Sequence, residues 1–527
     1  MIKISNWLKF ILAVACIEAL YALPDVIYST YTPTYEITSW GKVLVFLIPL
    51  SIGLVLNKYR WLSIAVLSLL CVLQLIQFSR LSYFGRLMTQ FDFDMIFAEW
   101  HDVLLGAQDA FMTHWKIIPT VLAPFVLMWI AVRLNKIRNI FGTFILVITF
   151  PTMLYVHVDN CIPYPIEGRI SISNTIKSFS YYVASWFQDY NPPKYEDYSI
   201  TNVGIDTSEP ITIVYILGES VNINHMSLFG YERDTTPLLK KLSEASNFYC
   251  TEGVSGAVCT KASLRFMTNV IYEPDNVLLN DSGETSLFKL AKENGFKTFY
   301  LASDPKNMVN SVCNKSAKYI DVLKTRESDV DSANRLKDDY IIKLLDEQDY
   351  TDRNFIVLHQ RCIHTPYSKN FPKHYKDTRH FKDGANTKVD EYDNAMTYND
   401  TFISRIFTRF NKQTNGKFYI IWASDHSEML GEKGMFGHSI IEPEVVKVPF
   451  LFQSNDEKFM EQIRSLKTVY PYAIGKIIAE LLGFKIENPN EMSGIFYANG
   501  LDYYGRSGYM KVTFSENKLN FEKVRAK

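Results

Sequence analysis

The chain has 527 residues, 47% of them hydrophobic, and a formal net charge of −1. This length exceeds one ordinary domain core, and the apolar residues concentrate in the first third, so we expect two or more domains. The balanced charge gives no basic surface field, which argues against nucleic acid as a partner.

Five apolar stretches in the first third of the chain predict transmembrane helices. Each is 17–22 residues long, close to the ~20 helical residues that a hydrocarbon core requires. So many runs in so short a segment argue against buried core helices and against a cleaved signal peptide. The stretches are 7–28, 41–57, 61–79, 115–135 and 140–158.

Basic residues around these stretches predict their orientation. Lys and Arg occur at the N-terminus and in alternate loops, and such positive loops stay in the cytoplasm. Five crossings from a cytoplasmic N-terminus would place the chain after about residue 160 outside the cytoplasmic membrane. The basic residues are Lys3, Lys9, Lys58, Arg60, Arg133, Lys136 and Arg138.

Two segments are expected at the membrane surface. Residues 80–114, between the third and fourth stretches, mix aromatic and apolar residues, which is typical of an interfacial amphipathic helix. The alternative for 80–114 is a surface connector without chemistry. Residues 161–210 carry several prolines and tyrosines, a composition typical of a linker with a short membrane-surface helix.

From residue 211 onward, β-rich runs alternate with helical patterns, which predicts an α/β domain with a mostly parallel sheet covered by helices on both faces. The predicted strands are 211–217, 297–302, 354–359, 417–423 and 446–453. The predicted helices are 235–246, 286–295 and 471–483, the last two ending at Gly295 and Gly483. The predicted domains are a five-helix transmembrane domain at 1–160, the linker at 161–210 and the α/β domain at 211–527.

Polar residues that can bind a metal follow three of these strands. In open α/β sheets, the ligand site lies beyond the carboxyl ends of the strands. Asp, Glu and His without paired CxxC units indicate a zinc site with an open position, and His ligands disfavour calcium and magnesium. Each His alone is more often an ordinary polar residue, so the prediction depends on their convergence. The candidates are Glu219, His359, His364, Asp425, His426 and, in a glycine-flanked loop, His438.

Thr260 follows small residues and precedes a helical pattern, so we expect it at a helix N-terminus. Backbone N–H groups and the helix dipole stabilise an anion there, and a coordinated cation activates a hydroxyl for attack. The alternative is that Thr260 only caps the helix. Local pattern leaves both interpretations open.

Five of the seven cysteines would face an oxidising compartment, which permits disulfides. Cys16 and Cys71 lie in predicted membrane helices. The candidate pairs are Cys250 with Cys259 and Cys313 with Cys362, leaving Cys161 single.

Several long segments carry a family resemblance. The segment LGESVNINHMSLFGYERDTTPLL resembles the opening motif of phosphoethanolamine transferases, which belong to the alkaline phosphatase and sulfatase superfamily. HQRCIHTPY, EYDNAMTYND and ASDHSEMLGEKGMFGH follow in the family order. The resemblance covers essentially the whole chain, including the five apolar stretches, and it implies a sulfatase-like α/β fold behind a membrane domain.

Applied to this sequence, the resemblance implies a catalytic zinc site with one tightly bound ion and room for a second. It implies that Thr260 is the nucleophile and carries the phosphoethanolamine. The implied zinc ligands are Glu219, Thr260, Asp425 and His426. The residues implied around the phosphoryl group, as a second metal site or as hydrogen-bond donors and proton carriers, are His359, His364 and His438.

Two departures from the family pattern affect the site. The segment TKASLRFMT is one residue shorter than in lipid A-modifying members, so Ser255, Cys259 and Ser263 remain alternative nucleophiles. In the segment at 80–114, Ala98 and His101 stand roughly where polymyxin-resistance relatives have the Asn and Glu for the lipid headgroup. The candidates for lipid contact in this chain are therefore Glu99 and His101.

The implied function is transfer of phosphoethanolamine from phosphatidylethanolamine to lipopolysaccharide, on a lipid A phosphate or a core sugar. We expect a monomeric, multi-pass protein of the inner membrane with a periplasmic catalytic domain. One alternative is a glycerophosphate transferase on the same fold. A sulfatase would need a C/S-x-P-x-R motif, which CTKAS lacks, and the complete set of acidic, His and Thr residues disfavours an inactive membrane receptor.

Overall fold

The structure is a computed structural model, and its contacts divide the chain into two units. One unit comprises residues 1–190 with 431–436, and the other comprises 191–430 with 437–527. The described residues are 6–32, 35, 41–98, 115–155, 170–186, 191–205, 208–306, 308–309, 314–376, 381, 387–412, 415–466, 468–516 and 518–524.

The first unit contains a helix at each of the five predicted apolar stretches. Its helices are α1 (Asn6–Tyr31), α2 (Gly41–Leu56), α3 (Arg60–Phe84), α4 (Gln90–Ala98), α5 (Ile117–Leu134), α6 (Ile140–Tyr155) and α7 (Ser171–Ser185). α1, α3 and α5 are long and apolar enough to cross a membrane. α2 and α6 have 16 residues each, so five crossings stay a prediction.

The segment 80–114 differs from its prediction as one surface helix. Residues 80–84 continue α3, which ends where Gly85 adopts a left-handed φ of +73°. α4 then forms a separate short helix. The expected lipid contacts, Glu99 and His101, lie outside the described residues.

The predicted linker contains α7. Ser171, its first residue, donates from its backbone N–H and its hydroxyl to the buried Asp25 carboxylate of α1, at 2.8 and 2.9 Å. A carboxylate at a helix N-terminus satisfies an otherwise unpaired N–H group. α7 also packs against α3, α4 and α6, so it is part of the helical unit.

The second unit is built on a seven-stranded sheet. In order across the sheet, its strands are β3 (Phe248–Val254), β10 (Lys447–Ser454), β7 (Lys417–Ser424), β2 (Ile211–Gly218), β6 (Arg353–His359), β4 (Lys297–Ala302) and β5 (Val322–Lys324). Strands β7, β2, β6, β4 and β5 run parallel, whereas β10 runs antiparallel to both β7 and β3. All five predicted strands are present. The strands outside this sheet are β1 (Ser199–Asn202), β8 (Met429–Leu430), β9 (Phe436–Gly437), β11 (Phe484–Glu487), β12 (Ile495–Asn499), β13 (Tyr509–Ser515) and β14 (Lys518–Val524).

Helices cover both faces of this sheet, as predicted. Along β2, Ile213 and Tyr215 point into one apolar core, and Val214 and Ile216 point into the other. This alternation follows from the period of two in a strand, and burial on both faces explains the continuous apolar run. The helices are α8 (Pro237–Leu242), α9 (Thr260–Thr268), α10 (Val277–Ser282), α11 (Leu287–Glu293), α12 (Val330–Leu336), α13 (Asp339–Asp346), α14 (Lys373–Lys376), α15 (Thr387–Asn411), α16 (Pro443–Val446), α17 (Glu457–Arg464) and α18 (Pro471–Leu481).

The predicted helix stops are confirmed. Gly295 and Gly483 follow α11 and α18 with φ values of +76° and +87°, a left-handed backbone that glycine adopts without a Cβ clash. The expected helix at 235–246 is shorter and spans α8 only.

The predicted pairing of Cys250 with Cys259 is wrong, because no disulfide joins the two residues. Cys362 is a free thiol, and its Sγ lies 3.5 Å from the carbonyl oxygen of Ala395. Cys161 and Cys313 lie outside the described residues.

Candidate metal centre

The candidate site forms at the carboxyl edge of the parallel strands. β2 lies between β7 and β6, with Leu217 paired to Ala423 on one side and to His359 on the other. The residues that follow parallel strands meet at one edge of the sheet. Glu219, which follows β2, therefore lies between the residues that end β7 and those that end β6 and β4.

On the β7 side, four predicted residues come together around one point. The Thr260 hydroxyl oxygen lies 3.3 Å from Glu219 Oε2 and 3.1 Å from His426 Nε2. His426 Nε2 lies 3.3 Å from Asp425 Oδ2 and 3.7 Å from Glu219 Oε1. Tetrahedral zinc with bonds of about 2.0–2.1 Å separates its ligand atoms by ~3.3 Å. These four side chains fit one zinc ion.

Neighbouring backbone groups orient these side chains. Asp425 Oδ1 accepts the N–H groups of Ser220 and His426 at 3.0 and 2.7 Å, so its Oδ2 turns toward the cluster. His426 Nδ1 lies 3.0 Å from the carbonyl oxygen of Ser427, which can only accept. Nδ1 therefore carries the proton, and Nε2 presents a lone pair to a metal. Ser220 itself has a φ of +55°, a strained conformation of the kind found at functional sites.

Burial sets the protonation of the cluster. Burial, followed by the charge of Asp425, raises the pKa of the Glu219 carboxyl group. Burial likewise raises the pKa of Asp425 and lowers the pKa of His426. A charged carboxylate is costly here without a cation, whereas neutral imidazole and ionised carboxylates are the forms that bind zinc.

Thr260 is the first residue of α9, and the residue at the cap position is Cys259. The Thr260 hydroxyl bonds to Glu219 and His426. The alternative interpretation of Thr260 as a mere helix cap is therefore wrong. Its position at the helix start puts backbone N–H groups beside its hydroxyl.

The alternative nucleophiles have other hydrogen-bond partners. Ser255 donates to the carbonyl of Ala257 at 2.8 Å. Cys259 Sγ lies 3.5 Å from the carbonyl oxygen of Leu501. Ser263 donates to the carbonyl oxygen of Asp425, which links α9 to the segment that carries Asp425 and His426.

On the β6 and β4 side, the structure adds a residue that the sequence reasoning missed. His359 Nε2 lies 3.3 Å from Asp304 Oδ2, and a ligand atom of each lies within 4.8 Å of one from Glu219. Asp304 comes two residues after the predicted strand 297–302. Applying the strand-end rule to that strand would have identified it.

The three histidines expected around the phosphoryl group occupy two places. His359 lies with Asp304, whereas the His438 ring lies 4.2 Å from the His426 ring and 6.1 Å from the His364 ring, centroid to centroid. His438 Nδ1 also lies 3.7 Å from a carboxylate oxygen of the buried Glu428. Sequence reasoning missed Glu428 too, although it follows His426 by two residues.

Residues 211–469 match the family model described as Sulfatase. This matched region includes every candidate site residue above.

Named relatives agree with the resemblance. The Kdo(2)-lipid A phosphoethanolamine 7''-transferase of Salmonella typhimurium is 29% identical over 283 residues, 51% of this chain and 48% of that protein. The phosphoethanolamine transferase EptA of Helicobacter pylori is 26% identical over 304 residues, 55% of this chain and 56% of that protein. The chain spans about half the length of these relatives.

One solved structure matches nearly the whole chain. The integral membrane protein lipooligosaccharide phosphoethanolamine transferase A from Neisseria meningitidis has a TM-score of 0.55 and 16% sequence identity, covering 91% of this chain and 96% of that one. The likeness shows the fold, apolar N-terminal helices followed by a sulfatase-like α/β domain. The predicted fold class and the resemblance to phosphoethanolamine transferases are confirmed.

Proposed function

We propose that this protein is a zinc-dependent phosphoethanolamine transferase. It takes phosphoethanolamine from phosphatidylethanolamine and transfers it to lipopolysaccharide, on a lipid A phosphate or a core sugar. The observation that carries this proposal is the cluster of Thr260 with Glu219, Asp425 and His426, whose ligand atoms have the spacing of a tetrahedral zinc site. The names of the relatives supply the transferred group and the acceptor class.

The reaction divides into two displacements at phosphorus. Thr260 Oγ attacks the phosphorus of the lipid, the bond to the diacylglycerol oxygen breaks, and diacylglycerol leaves with a proton. An acceptor oxygen then attacks the phosphorus of the phosphothreonine, the bond from phosphorus to Thr260 Oγ breaks, and Thr260 Oγ takes up a proton. Zinc, when bound, supplies the charge that lowers the hydroxyl pKa and stabilises the phosphoryl oxygens.

The chain itself positions the reacting groups. Backbone N–H groups at the start of α9 can bind a phosphoryl oxygen beside the nucleophile. His364 and His438, on the His426 side of the cluster, are the groups we assign to hydrogen-bonding the phosphoryl group and carrying its leaving-group proton.

The membrane helices support the choice of donor. α1, α3 and α5 are long and apolar enough to span a bilayer. An enzyme anchored in the membrane meets a lipid donor at high effective concentration. We place the protein in the inner membrane as a multi-pass protein, with its catalytic domain in the periplasm.

The test follows the first displacement without an acceptor. Full-length protein in detergent, mixed with phosphatidylethanolamine, should release about one diacylglycerol per chain and gain a phosphoethanolamine mass on the peptide containing Thr260. Thr260→Val should lose both signals. Phosphatidylglycerol as the only donor tests the alternative of a glycerophosphate transferase, which would instead add glycerophosphate.

The matched control is Thr268→Val in the same helix. Thr268 is buried like Thr260, but its hydroxyl donates to the Leu264 carbonyl of its own helix at 2.8 Å. Thr268→Val should therefore keep the adduct. Equal turnover in Thr260→Val and wild type would contradict the covalent mechanism, and an adduct on Ser255, Cys259 or Ser263 would contradict the assignment of the nucleophile.

A further inference from the structure

Arg265, on the same helix as Thr260, is a buried arginine that is only 6% exposed. Its Nε makes no hydrogen bond to the described residues. Its Nη1 lies 3.6 Å from Asp281 Oδ1, which is beyond hydrogen-bond distance, and that oxygen also lacks a hydrogen-bond partner in the described part of the chain. Buried charged groups are nearly always paired and hydrogen-bonded, so the guanidinium needs a further partner.

The ring of Tyr503 covers one face of this guanidinium. The ring centroid lies 3.6 Å from Cζ of Arg265, a distance at which a cation and an aromatic ring attract each other. The N–H groups of a guanidinium lie in its plane and point outward from its edge, so a ring on the face leaves the edge open. A phosphate binds such an edge through two parallel hydrogen bonds.

Tyr503 belongs to a loop, residues 500–508, whose backbone is held in place by its own side chain at position 502. The Asp502 carboxylate accepts backbone N–H groups at 2.8, 3.2 and 2.8 Å, from Tyr504, Arg506 and Ser507. The loop therefore presents its aromatic and basic side chains from a fixed backbone, which lowers the cost of ordering them around a ligand.

Tyr504 and Arg506 extend the surface that Tyr503 begins. The two tyrosine rings lie 4.1 Å apart, centroid to centroid, and their hydroxyl oxygens lie 2.6 Å apart. Cζ of Arg506 lies 4.7 Å from the Tyr504 ring centroid. All three side chains are half-buried. Tyrosine rings beside arginines suit a ligand that combines an apolar ring face with an acidic substituent, as a phosphorylated sugar does.

The loop packs beside the first turn of the nucleophile's helix. Cys259 Sγ lies 3.5 Å from the carbonyl oxygen of Leu501, and the Leu501 side chain packs against Cys259 and Ala262. Arg265 follows Thr260 by five residues, which is about 7.5 Å along a helix axis. A glycolipid of two or more sugar rings spans such a distance, so one molecule can reach both residues.

The charges of this region favour an anionic ligand. Arg265 and Arg506 are joined by Lys261, which also lies on α9 and is exposed. The acidic side chains are Asp281, which is 41% exposed, and Asp502, whose oxygens already accept the N–H groups of the loop. Three basic side chains thus outnumber two acidic ones, and such an excess attracts a phosphorylated molecule.

We propose that Arg265, with Tyr503, Tyr504 and Arg506, binds a phosphate of the acceptor. This inference rests on the proposed function and specifies its acceptor as a phosphorylated glycolipid. One phosphate of that molecule lies on Arg265 while another of its oxygens attacks the phosphorus carried by Thr260. The site serves the second displacement only, because the first consumes phosphatidylethanolamine without an acceptor.

Binding of full-length protein in detergent to immobilised lipopolysaccharide, measured by surface plasmon resonance without donor lipid, tests the site directly. Arg265→Gln should weaken binding by roughly 10–100-fold, the loss expected for hydrogen bonds to a charged group. Arg265→Lys keeps the charge without the planar fork and should lie between Arg265→Gln and wild type. Lipopolysaccharide from which the phosphates have been removed should bind wild type and Arg265→Gln equally.

The two displacements give a second measurement. Arg265→Gln should form the Thr260 adduct from phosphatidylethanolamine at the wild-type rate. Discharge of that adduct by lipopolysaccharide should then need a half-saturating concentration that is roughly 10–100-fold higher than in wild type. A purely structural role for Arg265 would instead lower the melting temperature and slow both displacements.

Arg405→Gln is the matched control. Arg405 lies on α15, which packs in the apolar core on the other face of the sheet from α9, and its Nη1 pairs with Asp339 Oδ1 at 2.9 Å. The variant removes one positive charge far from the loop and should match wild type in both measurements. Arg506→Gln changes a half-buried loop position and should weaken lipopolysaccharide binding by a smaller factor, which tests the site even where Arg265→Gln fails to fold.

Wild-type affinity for intact lipopolysaccharide in a folded Arg265→Gln, or in Arg506→Gln where Arg265→Gln does not fold, would overturn the inference. So would a wild type that does not bind lipopolysaccharide. The Thr260 adduct distinguishes this failure from failure of the proposed function. A chain with a normal adduct whose binding does not depend on Arg265 keeps the transferase and loses the acceptor site. A chain that binds through Arg265 but forms no adduct does the reverse.

Discussion

Asp425→Asn should remove the stabilisation of the fold by zinc without destabilising the metal-free protein. Asp425 is completely buried, and burial raises the pKa of its carboxyl group, so the metal-free fold contains a carboxylate whose ionisation is costly. Asparagine keeps the size and the oxygen that accepts the N–H groups of Ser220 and His426. The metal-free variant should therefore be at least as stable as the metal-free wild type near neutral pH.

With zinc bound, the wild type should be more stable than Asp425→Asn. An ion that binds only the folded state stabilises it by about 2.7 kcal/mol at a free concentration of about 100 Kd and by about 4.1 kcal/mol at about 1,000 Kd. At roughly 2 °C per kcal/mol for a large domain, the wild-type melting temperature should rise by about 5–8 °C. Without one of its ligands, Asp425→Asn should lose most of that rise.

Thermal unfolding of the full-length protein, followed by circular dichroism, measures both effects. Each protein is heated with a chelator and then with buffered zinc. Asp400→Asn is the control and should shift like the wild type. Asp400 is a buried carboxylate that accepts the N–H groups of Leu238 and Leu239 at 2.9 and 2.8 Å. An equal zinc shift in Asp425→Asn and wild type would refute Asp425 as a ligand, and a strongly destabilised metal-free variant would refute the charge argument.

Three further predictions concern the cluster, and a fourth concerns topology. Because burial raises the pKa of Glu219, zinc must displace a proton from this carboxyl group. The zinc affinity measured by calorimetry should therefore rise between about pH 5 and about pH 8, while the stability of the metal-free protein falls over the same range. A zinc affinity that does not change with pH would contradict this. Gly218→Ala puts a Cβ 2.8 Å from Nε1 of Trp422 and should cost roughly 1–3 kcal/mol of unfolding free energy by thermal denaturation. Ser263→Ala removes the hydroxyl that donates to the Asp425 carbonyl. We expect it to lower the free energy of unfolding by about 1–3 kcal/mol and to slow diacylglycerol release. Unchanged stability would show that this hydrogen bond contributes little. Alkaline phosphatase fused after residue 200 should be active, and activity of a cytoplasm-only reporter there would reverse the orientation.

The sequence predicted the fold where one physical signal dominated. Strands β2, β4, β6 and β7 are buried on both faces, so their apolar runs stand out. β3, with the sequence FYCTEGV, is only partly buried and was missed, because an edge strand gains its partner, β10, from distant sequence. The antiparallel direction of β10 could not be predicted from the sequence either, since an apolar run does not encode whether a strand lies parallel or antiparallel to its neighbours.

The site was predictable to the extent that strand ends are predictable. Glu219, Asp425 and His426 follow strong strands directly. Asp304 was within reach of the same rule, but its pairing with His359 depends on β4 and β6 being neighbours, which no local pattern states. The separation of His359 from His364 and His438 likewise follows from the fold of the loop after β6 and could not come from spacing.

The position of Thr260 depends on the chain as much as on any ion. Backbone hydrogen bonds hold the segment before α9. They run from Ser255 N–H to the Val446 carbonyl, from Val258 N–H to the Asn499 carbonyl, from Asn499 N–H to the Gly256 carbonyl and from Ser439 N–H to the Val258 carbonyl, at 2.8, 3.0, 2.8 and 2.8 Å. These partners lie in three distant parts of the sequence. Such fixed supports preorganise a catalytic group before substrate or metal arrives. The central strand does the same for Glu219, because β2 has a parallel neighbour on either side. Because the backbone around Thr260 and Glu219 is fixed in this way, both side chains can meet a substrate or an ion without a change of backbone.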